Sequence, residues 1–431
     1  MRSRTFVAAL VLGLLVSSTS AQAQGGAQGE HWVGTWATAP VASPSQPPAP
    51  PQGGPQAPQS PRLQNQTLRQ IVHVSLGGTR VRVVLTNAFG TRALAIGGAH
   101  LALRGKGAVI VPGSERPLTF SGADTASIPP GALLISDPVA LTVPRQADLA
   151  IDLYVPDDTT ASPSPLTIHT ASRQTSYLSS TGKHLGVREL PGATPTTSWF
   201  FLSRVDVAAP AGTRAVVAFG DSITDGFNST VDTNNRWPDH LSRRAAAAGV
   251  SLGILNLGID GNRVLADGAG VSALARFDRD ALAQAGVTHV FVLEGINDLG
   301  LPNLFKDGPR PTAAQLIAGH RQLIARARAK GLKIYASTLL PYEGTTFPGY
   351  FTPEGEAIRQ EFNRWMRTSK EYDGIVDFDA IVRDPTQPTR ILPSLDSGDH
   401  LHPSDAGYKV MADALNLAFF GARAKAKAVA H

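Results

Sequence analysis

Between Leu68 and about Val207 the apolar residues fall into short alternating runs, Ile71 to Leu76, Val81 to Leu85, Leu149 to Val155 and Trp199 to Val205. A period of two is that of a strand with one packed and one solvated face. Turn formers separate the runs, among them Gly77-Gly78, Pro129-Pro130-Gly131 and Pro156-Asp157-Asp158, and no helical periodicity intervenes. The pattern therefore predicts an antiparallel β-sandwich over 65–210. At Gly212 the texture changes. Arg214 to Phe219, Leu252 to Leu257, Thr288 to Leu293, Lys333 to Leu339 and Gly374 to Phe378 are continuous apolar runs suited to a parallel sheet covered on both faces. Helical patterns alternate with them at Pro238 to Ala248, Val271 to Ala285, Thr312 to Lys330, Glu354 to Lys370 and Ser404 to Phe420. Thr312 and Ser404 stand where N-caps belong, and Gly249, Gly286 and Gly331 just past the last turns. Strand–helix alternation over 211–421 predicts a doubly wound α/β domain with right-handed crossovers.

The ends read differently. Met1 to Ala23 has a basic start, an apolar run from Phe6 to Val16 and a small-residue close, the three zones of a secretory signal peptide, with cleavage expected after Ala23. That apolar run is shorter than the roughly 20 residues a membrane span needs, so no span is expected in a mature protein that is secreted or periplasmic. Residues 24–64 hold one aromatic strand, His31 to Trp36, and a Pro-, Gln- and Gly-rich stretch from Pro40 to Pro61 that should be extended and mobile. Residues 422–431 form a basic tail.

Composition narrows the chemistry. A hydrophobic share of 42% with 17% charged residues belongs to a folded globular chain, and 431 residues suffice for two cores. The absence of cysteine excludes a disulfide framework, a thiolate metal site and a cysteine nucleophile. The net charge of +5 is concentrated partly in the leader and the tail, and no basic stripe interleaved with aromatics points to nucleic acid.

In a doubly wound sheet ligands bind outside the carboxyl ends of the strands, so the loops there carry the candidate chemistry. Phe219-Gly-Asp-Ser222 places a serine at a strand-to-helix turn, its own N–H among the unpaired donors of a helix start. Gly261, in the loop after the second strand, allows close backbone approach and an N–H aimed at a ligand. Asn297, after the third, offers a side-chain amide. Asp399 and His402 precede the last helix, three positions apart, a spacing at which the carboxylate holds one ring nitrogen while the other faces the serine. His400, also beside Asp399, is the alternative base. Asp225, Asp298 and Asp396 fit loop-bracing roles, and Arg263 fits either a substrate contact or a salt bridge.

These four blocks, in this order and each after a strand, resemble the SGNH (GDSL-type) hydrolase family over about Arg214 to Phe420. The resemblance implies a flavodoxin-like sheet and a serine esterase with Ser222 as nucleophile, His402 as base and Asp399 as its partner. It also implies oxyanion donors from the Ser222 and Gly261 N–H groups and the Asn297 amide, and it needs no cofactor and no metal. Trp32 to Trp36 and Asn87 to Gly90 are similar to exported members with an N-terminal β domain, several of them carbohydrate esterases. The implied substrate is a small-molecule or polysaccharide ester, with short acyl groups favoured because no long apolar lid segment is evident; simple or lipid esters are the alternative. From another class, Trp32, Trp36, Trp199 and Phe201 would be stacking platforms of a carbohydrate-binding protein if they were exposed rather than core. No Gly-x-Gly-x-x-Gly or Gly-Lys-Ser/Thr loop supports a nucleotide site, and no His-Glu-x-x-His supports a metal one.

Overall fold

The computed structural model describes residues 30–43, 62–159 and 164–421; the proposed leader, most of the Pro-rich stretch and the basic tail lie outside them. In the N-terminal half the alternating runs pair antiparallel. One sheet runs Trp32–Ala37, Leu202–Ala208, Gly78–Thr86, Val139–Val143, with Leu133–Ile135 also on Gly78–Thr86. A second orders Thr194–Thr196, Ser176–Thr181, Gln66–His73, Asp148–Val155, Ala99–Leu103, Arg116–Leu118. Their alternate residues share one core, Leu68, Val72, Ile151 and Leu153 from one sheet with Val81, Val83, Val205 and Val207 from the other. Such burial is the main stabilising term, about 25 cal/mol per Å² of apolar surface.

One expectation changes here, and one alternative falls away. Val41–Ala42, at the start of the stretch expected to be mobile, pairs with Thr167–Ile168, and Val41 is buried. Its backbone groups find partners in the fold, which outweighs the local composition. Trp36, Trp199 and Phe201 are core side chains: Trp36 meets Trp199 edge-on at 4.9 Å, and Trp199 Nε1 donates to the Ile71 carbonyl. They cannot serve as stacking platforms. Trp32 is half-buried beneath the Arg82 guanidinium, 4.5 Å from the ring centre.

In the C-terminal half five parallel strands lie in the order Leu252–Gly258, Arg214–Gly220, Val287–Leu293, Lys333–Ser337, Gly374–Val376. Sequence order is thus 2-1-3-4-5, the flavodoxin-like arrangement, whose switch point falls beside the first strand, Arg214–Gly220. Thr312 and Ser404 cap their helices as expected, accepting from the N–H groups of Gln315 and Gly407. The pattern from Val271 to Ala285 resolves into a short α-helix, Ala273–Phe277, continued by a wide π turn, Asp278–Leu282.

The two halves share a single apolar core, and all residues from His31 onward form one compact unit. The strand Trp32–Ala37 lies against Leu252–Gly258 so closely that a methyl group on Gly253 would stand 2.1 Å from the Gly34 carbonyl oxygen. The Gly34 N–H meanwhile donates to Ala285. Backbone cannot retreat there without breaking sheet pairing. Gly253→Ala is therefore expected to lower stability by about 1–3 kcal/mol, read as a fall in the urea midpoint at unchanged slope; an unaltered midpoint would mean the contact opens freely.

Candidate active site

The first parallel strand ends at Gly220, where any side chain would collide with the Leu293 carbonyl and Thr224 Oγ1, each 2.3 Å away. The chain then turns at once into a single helical turn, Ser222–Asp225, capped by Asp221, whose side chain accepts from the Ile223 N–H at 2.9 Å. Gly226, at φ 101°, ends the turn. This elbow lifts Ser222 above the carboxyl edge of the sheet at the switch point.

His402 arrives from the loop before the last helix. Its Nε2 lies 2.8 Å from Ser222 Oγ, and its Nδ1 lies 2.6 Å from Asp399 Oδ2. A carboxylate can only accept, so Nδ1 carries the proton and Nε2 is free to accept from the serine hydroxyl. The ring is held in place by Phe227, 4.5 Å away, and by Phe347 edge-on at 6.4 Å. Burial alone would raise the Asp399 carboxyl. Hydrogen bonds from the His402 ring and from the backbone N–H groups of His402 and Leu401 outweigh it and bring the group down to about 2. Asn228 Nδ2 adds a donor to Oδ2 at 2.9 Å. His400, the alternative base, turns outward instead: it sits at φ 58°, its side chain is 50% exposed, and its Nδ1 contacts Asp396.

Opposite the serine, Gly261 adopts φ 73° and Asn297 stands in the first turn of a helix, Ile296–Phe305, where a loop was expected. Asn297 Nδ2 donates to the Asn262 carbonyl at 2.9 Å, while its Oδ1 accepts from Tyr350 at 2.8 Å. A phenol donating to Oδ1 fixes which way the amide faces and leaves the second Nδ2 hydrogen for a ligand. Tyr350 was not found from sequence; it lies in an irregular segment, and only its contact with Asn297 and Gly300 marks it. Asp298 braces the Gly261 loop by accepting from the Val264 and Leu265 N–H groups at 2.7 and 3.0 Å. Burial pushes its carboxyl up to about 6. Arg263 takes the salt-bridge alternative, 3.0 Å from Asp307.

Ser222, Gly261, Asn297 and His402 open together onto a cavity of about 190 Å³ whose other walls are largely apolar, formed by Phe227, Leu301, Leu304, Phe347 and Leu401. Phe305 at its edge is 64% exposed. Among the described residues no group of His, Asp or Glu side chains is placed to hold a metal ion, and no helix is long and apolar enough to cross a membrane.

Beneath the site lies a residue the sequence reading treated only as part of a helix. Arg276 is fully buried and reaches two strand ends and the loop after the second: it donates to the carbonyls of Gly220 and Leu257 and to Asn262 Oδ1, each at 2.8 Å. Its guanidinium stacks 4.0 Å over Phe219 and pairs with Asp280 and Glu294 at 3.3 and 3.5 Å. Arg276→Met would leave Glu294 without its cationic partner and take a donor from Asp280, Asn262 and two strand-end carbonyls, so a loss of about 3–5 kcal/mol is expected. Chemical denaturation checks it; a loss below about 1 kcal/mol would show that the acids simply protonate.

Residues 218–410 match the model of the GDSL-like Lipase/Acylhydrolase family. The match marks a GDSL-like ester hydrolase domain within the C-terminal half of the chain. No curated protein matches the chain. Among solved structures it is similar to the aryl esterase of M. smegmatis at 15% identity, over 49% of this chain and 100% of that one, with a TM-score of 0.40. It is similar to a lipase/acylhydrolase of Enterococcus faecalis at 20% identity, over 46% and 92%, with a TM-score of 0.37. A carbohydrate acetylesterase of Sinorhizobium meliloti is similar at 18% identity, over 46% and 94%, also with a TM-score of 0.37.

Proposed function

We propose that the chain is a secreted serine esterase that removes acetyl or other short acyl groups from carbohydrate through a covalent acyl-enzyme. The observation that carries the reading is the unbroken contact line from Ser222 Oγ through His402 to Asp399, at 2.8 and 2.6 Å. In this reading Ser222 attacks the ester carbonyl while Nε2 of His402 takes its proton, then returns that proton to the leaving alcohol. Asp399, held ionised, stabilises the imidazolium in between. The Ser222 and Gly261 N–H groups and the Asn297 amide receive the oxyanion. Water, activated by the same histidine, then attacks the acyl-serine and restores the hydroxyl.

A cavity of about 190 Å³ with apolar walls favours a compact acyl group over a long chain. The test is Ser222-dependent release of acetate from acetylated xylan, run beside a p-nitrophenyl ester series of increasing chain length. Preference for long chains with no polysaccharide deacetylation would overturn the carbohydrate part of the reading. Export is tested by sequencing the N-terminus of protein recovered outside the cytoplasm, expected to begin at Gln24.

A further inference from the structure

One polar side chain in the wall of the substrate cavity belongs neither to the proton relay nor to the oxyanion donors. Asp260 precedes Gly261 and lines the same cavity as Ser222 and His402. Its Oδ1 is sealed from solvent and has no hydrogen-bond donor, and the same is true of Asp225 Oδ2. Asp225 is the neighbouring acid that acts most strongly on the Asp260 carboxyl. Two acceptors cannot satisfy each other unless a proton lies between them, so one of the pair is a neutral acid. Burial and the Asp225 charge push the Asp260 carboxyl well above the usual carboxylate range, against the pull of Arg173. The shift favours the neutral acid at Asp260.

Asp225 is itself held from behind. His169, from the strand Thr167–His169 of the β half, places Nε2 3.1 Å from Asp225 Oδ1 and directs Nδ1 to the Ala39 carbonyl at 2.9 Å. A carbonyl only accepts, so Nδ1 is protonated. Burial works against a charge on this ring, but Asp225 and the carbonyl outweigh it and raise its pKa. The line His169, Asp225, Asp260 thus runs from the β half to the cavity wall, with Asp260 Oδ1 the sealed oxygen. The oxygen of Asp260 that remains is an uncharged acceptor. An ionised carboxylate one residue from Gly261 would oppose negative charge developing at that N–H; a neutral one does not.

We propose that Asp260 is a specificity-determining residue whose free carboxyl oxygen accepts a hydrogen bond from a substrate hydroxyl close to the scissile ester, selecting partially acylated polyols and sugars over simple alkyl esters. The proposal rests on the esterase reading of the site. That oxygen, unlike the sealed Oδ1, loses its hydration when substrate fills the cavity, so an ester without a hydroxyl leaves it unpaired and one with a hydroxyl does not.

The test compares kcat/KM for 1-acetylglycerol and for propyl acetate, which share a carbon skeleton and differ in hydroxyls. Asp260→Ala is expected to lower the glycerol-to-propyl ratio by about tenfold, mainly through KM. Asp260→Asn is expected to keep the ratio within about threefold of the parent, because its amide donates to Asp225 and presents a carbonyl to the cavity. A ratio unchanged by Asp260→Ala, or lost equally in Asp260→Asn, overturns the proposal; Asp260→Gly replaces the alanine variant if the latter does not fold. Ser222→Ala is run on both substrates. If it hydrolyses them as fast as the parent, the esterase reading fails rather than the assignment of Asp260.

Discussion

Replacing His402 with alanine is expected to lower kcat on p-nitrophenyl acetate by on the order of 10⁴-fold or more, while His400→Ala stays within about threefold of the parent. The two histidines are two residues apart and both lie near an aspartate, so the contrast tests geometry rather than composition. His402 Nε2 is 2.8 Å from Ser222 Oγ, and its other nitrogen is held by a carboxyl kept down at about 2. His400 is turned outward by its left-handed backbone and pairs with Asp396. Asp399→Asn should fall between the two, since an amide that donates to Nδ1 selects the wrong tautomer without moving the ring, and a loss on the order of 10⁴-fold in kcat is the ceiling for that defect. The measurement is steady-state kcat at a pH where the parent is maximal. Equal losses from His400→Ala and His402→Ala would show that the loop rearranges in solution and would remove the basis for assigning the base.

Much of this arrangement is legible in the residues because it is set by local rules. Continuous apolar runs of five to seven residues mark strands buried on both faces, and Thr312 and Ser404 mark helix starts since each hydroxyl satisfies an N–H that the helix leaves orphaned. The chemistry-bearing loops follow from the strands by topology alone. What escapes is whatever depends on contacts between distant segments. The helix Ile296–Phe305 is hidden by Gly300 and Pro302, two poor helix formers. Gly300 is nevertheless required, because a methyl group there would enter the Tyr350 ring at 2.3 Å. Arg276 reads as an ordinary helical cation until two strand ends and the Asn262 loop are seen to converge on it. Asp260 reads as a loop acid. Its acidic neighbour Asp225 is held by a histidine 91 positions before Asp260, on a β strand of the other half of the chain.

The second large effect is expected at Asn297, and it separates a residue that meets the oxyanion from one that acts through it. Asn297→Ala removes a side-chain donor from the oxyanion site and should cost about 10²- to 10³-fold in kcat with little change in KM, because the interaction strengthens only as charge develops. Tyr350 makes its contact from behind: its hydroxyl donates to Asn297 Oδ1 and so holds Nδ2 toward the serine. Tyr350→Phe leaves that oxygen unpaired and the amide held only by the Asn262 carbonyl, an expected loss of about tenfold in kcat. The informative comparison is the double variant. If Tyr350 works only by orienting the amide, Asn297→Ala combined with Tyr350→Phe should be no slower than Asn297→Ala alone, a breakdown of additivity characteristic of groups acting in series. Losses that multiply would instead mean that Tyr350 touches the substrate itself from the cavity wall it shares with Phe347.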